Sequence, residues 1–266
     1  MFTDPNAAGA QRFDEAATPA ASLPEGVDPL DATLAAADAF PRRAVVRIMS
    51  NRGSCTGWLF GPDIVATAGH CVHAGGHPGQ NAAWADLDSM WIATDVVDGD
   101  TGIVPAGESF RARRLYASQG WIDAAADDQD FGAIRLADSR LGERLGWLGV
   151  VSSTVVRPGT PIRLTGFTKA DLDNPYANLP AEHAAYAKCI RRSHVTGTRD
   201  GRLLFDADTH PGDSGSPVVS AGCGACAMAI LIGRSPEAAA TNSLARQAAL
   251  ISRNTFETLM AWRDME

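Results

Sequence analysis

From Arg43 to Ile251 the chain runs in short apolar and β-branched stretches separated by breaks rich in Gly, Pro, Asp and Asn. Stretches of that length, bounded by turn residues, read as strands rather than helices. The strands so predicted cover residues 44–49, 55–60, 64–67, 90–92, 110–116, 131–136, 150–156, 161–167, 188–195, 203–206, 217–220, 228–232 and 245–251. Gly61-Pro62-Asp63 has the composition of a tight turn joining the second of these to the third. No helical segments alternate with the strands, so the pattern argues against a doubly wound sheet and for an all-β barrel or sandwich. The period changes only at the C-terminus. Ser252 is a helix-capping residue type, and beyond it Phe256, Leu259, Met260 and Arg263 fall on one face of a helix predicted over residues 253–264.

Residues 1–40 break with this rhythm. They are rich in Ala, Pro, Asp and Gly and poor in large apolar side chains, so they read as a leader, a pro-segment or a loosely attached arm. At 266 residues, 45% hydrophobic and 20% charged, the chain is ordinary for a globular protein and long enough for two small lobes. Its formal net charge of −8 argues against nucleic-acid binding, which needs a cationic face for the phosphates. No apolar run reaches the ~18 residues of a membrane span, so no membrane insertion is expected. Residues 1–15 are polar and lack an apolar signal core. That leaves a cytoplasmic protein or an exported one whose signal has been removed.

Cys55 and Cys71 stand at a spacing that a disulfide can staple, although two buried thiols fit the spacing equally well. Cys189, Cys223 and Cys226 form an odd remainder, so at most one further bridge is expected among them. Cys223-Gly-Ala-Cys226 lacks both the second pair of a zinc site and the helix start of a redox motif.

The chemistry concentrates at Gly212-Asp-Ser-Gly-Ser-Pro217. A serine flanked by glycines suits a nucleophile on a tight turn whose backbone N–H groups face the reacting carbon. Ser214 is then the nucleophile, and the N–H groups of Gly212 and Ser214 form the oxyanion hole. Such a serine needs a base. Thr67-Ala-Gly-His70-Cys71 puts a histidine on a tight turn directly after a strand, and an imidazole takes and returns a proton near neutral pH. His73, His77, His183, His194 and His210 sit in polar or loop-like surroundings. The orienting carboxylate works best where a strand edge buries it, and Asp130 opens the apolar run Phe131-Gly-Ala-Ile-Arg-Leu136. Asp123, Asp127 and Asp128 lie beside Ala and Gln in what reads as an exposed loop. Asp95-Val-Val-Asp98-Gly-Asp100 lacks the spacing of a calcium loop and reads as an acidic surface turn.

Ser54-Cys-Thr-Gly-Trp-Leu-Phe-Gly-Pro62, Thr67-Ala-Gly-His-Cys-Val72, Asp130-Phe-Gly-Ala-Ile134 and Gly212-Asp-Ser-Gly-Ser-Pro-Val218 together resemble the chymotrypsin-like (trypsin-like) serine peptidases, closest to the bacterial glutamyl endopeptidase or V8-like branch. The resemblance covers residues 45–250, and its last three blocks stand in the order His, Asp, Ser. It implies two six-stranded antiparallel β-barrels of the chymotrypsin type with a C-terminal α-helix. His70 and Asp130 would come from an N-terminal barrel over 41–148, and Ser214 from a C-terminal barrel with its helix over 149–266. It further implies a serine endopeptidase acting on protein or peptide substrates through an acyl-enzyme, with no metal and no organic cofactor. A monomer, secreted or periplasmic and made as a precursor, is the matching expectation, and the Cys55–Cys71 bridge gains support. A relative that keeps the fold but only binds peptides is the rival, though such proteins usually lose a triad residue.

Two features depart from the branch. Asp213 stands before the serine where Asn or Gln is frequent. In trypsin-like enzymes this acid receives a newly cut N-terminal amine, which points to a cut near Arg42-Arg43; the alternative is that neighbouring groups hold Asp213 without any cut. In the substrate pocket, Asp208, Thr209 and His210 are the expected lining, with Leu231 and Gly233 on the strand that follows the serine. Leu231 occupies the place where the glutamate-specific enzymes carry a histidine. Asp208 therefore leads to an expected preference for basic side chains N-terminal to the cut, with glutamate as the alternative.

Overall fold

The computed structural model describes residues 39–77, 83–99, 102–106, 108–153, 156–167, 188–207, 209–220, 223–234 and 245–265. Nearly all of the 1–40 arm, and Asp208, lie outside the described residues.

Eight strands precede the mid-chain crossing: β1 (Val45–Ser50), β2 (Gly53–Gly61), β3 (Ile64–Thr67), β4 (Trp91–Ala93), β5 (Val96–Gly99), β6 (Gly102–Pro105), β7 (Ser109–Ala117) and β8 (Gly132–Leu136). Six of them close a barrel in the order β1-β2-β3-β8-β7-β4. Trp58, Leu59, Phe60, Ile64, Ile92 and Ile134 lie on its strands, belong to one core cluster and are fully buried. Beyond the crossing come β9 (Gly149–Val150), β10 (Pro161–Phe167), β11 (Lys188–Arg199), β12 (Arg202–Asp206), β13 (Pro217–Ser220), β14 (Cys226–Arg234) and β15 (Ala245–Leu250). The order β13-β10-β11-β12-β15-β14 is closed by a β13–β14 pairing, with β9 added parallel to β14. This is the second six-stranded barrel, around Leu164, Val195, Leu203, Phe205, Val218 and Leu250. The β11–β12 hairpin turns on Asp200-Gly201, both at positive φ (47° and 72°), as a two-residue turn matched to strand twist requires.

The C-terminal helix α3 (Arg253–Asp264) occupies the span expected, and Ser252 Oγ accepts from Thr255 N–H at 3.2 Å. It docks on the first barrel rather than the second. Leu259 is buried in that barrel's core cluster, and Trp262 stacks on Tyr116 with ring centres 5.4 Å apart. Arg135 of β8 donates to the carbonyls of Trp262, Arg263 and Met265 and pairs with Asp63 at 2.6 Å. A cation thus closes the negative end of the helix.

Four features depart from the sequence expectations. Helices α1 (Gln119–Ala124) and α2 (Arg140–Leu145) span six residues each, too few for a helical period to show. The β5–β6 hairpin occupies the acidic stretch read as a turn. Of the strand expected over 150–156, residues 154 and 155 lie outside the described residues; among the described ones the ladder does not run on past Val151, and Ser153 N–H turns to the carbonyl of Ile251 at 2.9 Å. Finally, β11 runs on to Arg199 past a bulge between Val195 and Gly197.

Candidate active site

His70 lies in a short 3₁₀ turn, Gly69–Cys71, that follows β3 directly. The Cys55–Cys71 disulfide ties this turn to β2. Gly69 is needed for close approach, because a Cβ there would sit 2.9 Å from the Trp121 ring and 3.0 Å from Asp130 Oδ1. Asp130 ends the turn formed by Asp127–Gln129 and is buried. Its carboxylate grips His70 twice: Oδ1 accepts the His70 backbone N–H at 2.8 Å, and Oδ2 lies 2.7 Å from Nδ1. The first bond fixes the turn and the second fixes the ring, with Nδ1–H as donor and Nε2 left as the basic nitrogen. Burial of the ring, and more weakly the Arg52 charge, oppose the imidazolium. The charge and hydrogen bond of Asp130 outweigh them, so the His70 pKa is raised above 6.5.

The serine turn is built on two glycines at positive φ, Gly212 (103°) and Gly215 (89°). Any side chain at Gly215 would strike Thr56 O at 2.1 Å and Thr67 Oγ1 at 2.3 Å, so the turn lies directly on β2 and the end of β3, just ahead of His70. Thr56 clamps it. Its N–H donates to Ser214 O at 2.8 Å, and its hydroxyl donates to Gly212 O at 2.8 Å while accepting from Phe167 N–H at 2.9 Å. Thr67 Oγ1 in turn donates to Thr56 O at 2.8 Å. Leu231 of β14 holds the other side, its carbonyl accepting from Gly215 and its N–H donating to Ser216. Among the described residues, neither the Gly212 nor the Ser214 N–H is engaged in a hydrogen bond, and none joins Ser214 Oγ to His70. The serine turn and the histidine turn share one junction, with two donors open to a ligand there.

The expected pocket residues divide. Thr209 Oγ1 accepts from Arg246 Nε, and Thr209 O lies 3.4 Å from Arg246 Nη2. Arg246, on β15, is fully buried. His210 contributes its backbone N–H to Asp213. Leu231 points into the core of the second barrel, while Gly233 (φ 137°) faces open space with nothing within 4 Å of a built Cβ. Asp208 is outside the described residues.

Thr56, Arg246 and Arg191, which pairs with Asp213 at 3.1 Å, were not singled out from the sequence. An arginine inside the apolar run 245–251 was the one available signal. Asp127, read as a solvated loop residue, instead accepts from Arg202 at 2.8 Å and Gln247 at 3.2 Å. It latches the Asp130 turn to β12 and β15. Cys223 and Cys226 are bridged, leaving Cys189 as a buried thiol outside both disulfides. Cys55, His70 and Cys71 bring potential ligand atoms within 4.8 Å, but both sulfurs belong to the disulfide and offer no thiolate to a metal.

A family model described as Trypsin matches residues 32–244. The chain is 28% identical over 234 residues to a protein named Glutamyl endopeptidase from Bacillus licheniformis, covering 85% of this chain and 65% of that one. It is 30% identical over 186 residues to one named Extracellular metalloprotease from Bacillus subtilis, covering 67% of this chain and 52% of that one. The chain thus spans about two thirds and half of the lengths of these two relatives. A solved structure of a Glu endopeptidase superposes with a TM-score of 0.67 at 18% identity, over 88% of this chain and 96% of that one, which shows a shared fold.

Proposed function

The chain belongs to the trypsin family, and from that premise we propose that it is a serine endopeptidase whose triad is Ser214, His70 and Asp130. Ser214 Oγ attacks the peptide carbonyl carbon while His70 Nε2 takes its proton. Asp130 holds Nδ1–H and stabilises the imidazolium, and the N–H groups of Gly212 and Ser214 receive the oxyanion. His70 then passes the proton to the leaving amine, and water hydrolyses the acyl-enzyme. The Ser214–His70 hydrogen bond is made on this path, since such contacts commonly tighten only with substrate seated.

The observation that carries the reading is the double grip of Asp130 on His70, at 2.7 and 2.8 Å, in a turn that abuts the serine loop. The chemistry requires no metal. Two disulfides fit export to an oxidising compartment, secreted or periplasmic, and belong to the same reading. The test is labelling with a fluorophosphonate. An adduct on Ser214 that is lost in Ser214→Ala is expected; a folded chain that never labels, with or without trimming of its N-terminus, is instead a peptide-binding relative.

For specificity, Asp208 favours substrates with Arg or Lys before the cut. One observation favours a second reading. Arg246 is buried against Thr209, a residue expected to line the pocket, and brings a guanidinium suited to a carboxylate. On that reading the residue before the cut is Glu or Asp.

A further inference from the structure

Asp213, the acid preceding the nucleophile, is 1% exposed, and a carboxylate at that depth needs both a counter-charge and donors. The chain supplies both internally. Arg191 of β11, itself mostly buried, places Nη1 3.1 Å from Asp213 Oδ1. The backbone N–H of His210 donates to Oδ2 at 2.8 Å. Gly166 of β10 clears the space, since a Cβ there would lie 2.7 Å from Asp213 Oδ1 and 2.2 Å from Ser216 Oγ.

This anchoring reaches the oxyanion donors. The Asp213 carbonyl accepts from Ser216 N–H at 3.0 Å and Ser216 Oγ at 2.6 Å, and its N–H donates to His210 O at 3.1 Å. The Asp213–Ser214 peptide carries the Ser214 N–H, so holding Asp213 aims that donor. The other charged or titratable groups described around this turn make contacts of their own. Arg47 of β1, behind Gly212, donates to Phe167 O at 2.6 Å, Lys188 lies over the Phe167 ring at 5.2 Å, and His70 is held by Asp130. Nor is the dibasic step presented to this turn. Arg42–Ala44 form a 3₁₀ turn on the first barrel, where Arg43 Nε donates to Leu145 O at 2.8 Å.

We propose that Arg191 is a positioning residue that holds the oxyanion turn through its ion pair with Asp213, so that the site is assembled without a newly cut N-terminal amine. The proposal rests on the reading of Ser214 as nucleophile. A guanidinium keeps its charge throughout the working pH range, whereas an α-amine loses its proton near about 8 and a lysine near about 10.

The experiment uses the full chain and Arg191→Lys, Arg191→Gln and the Arg191→Gln/Asp213→Asn double variant. It reads fluorophosphonate labelling by intact mass, and kcat and KM against pH. The uncut wild-type chain labels. Arg191→Gln lowers kcat about 100-fold, the scale of losing one oxyanion donor, with KM nearly unchanged. Arg191→Lys retains most activity at neutral pH but gains an alkaline loss near about pH 10 that the wild type lacks. The double variant recovers about tenfold over Arg191→Gln, because no buried charge is then left unpaired. Labelling confined to chains cut upstream of Val45 overturns the proposal, as does a folded Arg191→Gln variant with wild-type kcat. If Arg191→Gln does not fold, an Arg191→Lys pH profile identical to the wild type's overturns it. A wild-type chain that labels neither cut nor uncut defeats the peptidase reading itself, an outcome distinct from labelling that ignores Arg191.

Discussion

Replacing Thr56 with Val keeps the side-chain shape and removes only the hydroxyl. The backbone bond from Thr56 to Ser214 O stays, and so does the one from Thr67 Oγ1 to Thr56 O. Two buried groups lose their partner: the carbonyl of Gly212, held at 2.8 Å, and the N–H of Phe167, held at 2.9 Å. Each stranded group costs about 1–3 kcal/mol, and the added methyl offsets about 1 kcal/mol by its burial. The net expectation is destabilisation by about 1–5 kcal/mol, or a Tm lowered by roughly 2–20 °C for a chain of this size. Because the Gly212 carbonyl anchors the oxyanion turn, kcat should fall about tenfold with KM little changed. Thr56→Ser, which keeps the hydroxyl, should stay within about 1 kcal/mol of the wild type. Chemical denaturation and steady-state kinetics on a peptide substrate measure both quantities. If Thr56→Val unfolds within about 0.5 kcal/mol of the wild type and keeps its kcat, the hydroxyl does not clamp the turn and the reasoning is refuted.

Two further outcomes follow from the charges in the site. Because Asp130 raises the His70 pKa, kcat/KM should fall on acidification with a midpoint above 6.5, and Arg52→Met should move that midpoint higher still. The stability supplied by the same pair is fully present below pH 6.5 and lost as pH rises through the raised value, so denaturation of wild type and Asp130→Asn should converge on the alkaline side; an acid limb centred at or below 6.5 contradicts the geometry. In a peptide-library profile, the Arg246 reading expects cleavage after Glu or Asp, with Arg246→Gln losing about 10–100-fold in kcat/KM on those substrates, whereas cleavage after Arg or Lys refers specificity back to Asp208.

The parts of the fold that are local in sequence were legible, and the parts that join distant segments were not. Strands and the capped C-terminal helix announce themselves through period and punctuation within a few residues. The His70, Asp130 and Ser214 turns were likewise visible because glycine and a strand edge mark each one. Nothing near Thr56 shows that its hydroxyl meets Gly212, 156 positions away, or that Arg135 of β8 closes the last turn of α3. Arg191 lies 22 positions before Asp213, in a strand where it stands beside Arg192 and nothing in the local pattern singles it out. Such polar contacts are specified by three-dimensional packing and leave no periodic trace. The serine turn is held from β2 through Thr56, from β10 through Phe167 and Gly166, from β11 through Arg191 and from β14 through Leu231. Those strands belong to both barrels. A turn braced this way is complete only once the barrels are docked, because Thr56 reaches it from the first barrel, whereas the Arg191 anchor on Asp213 comes from the second barrel, to which the turn itself belongs.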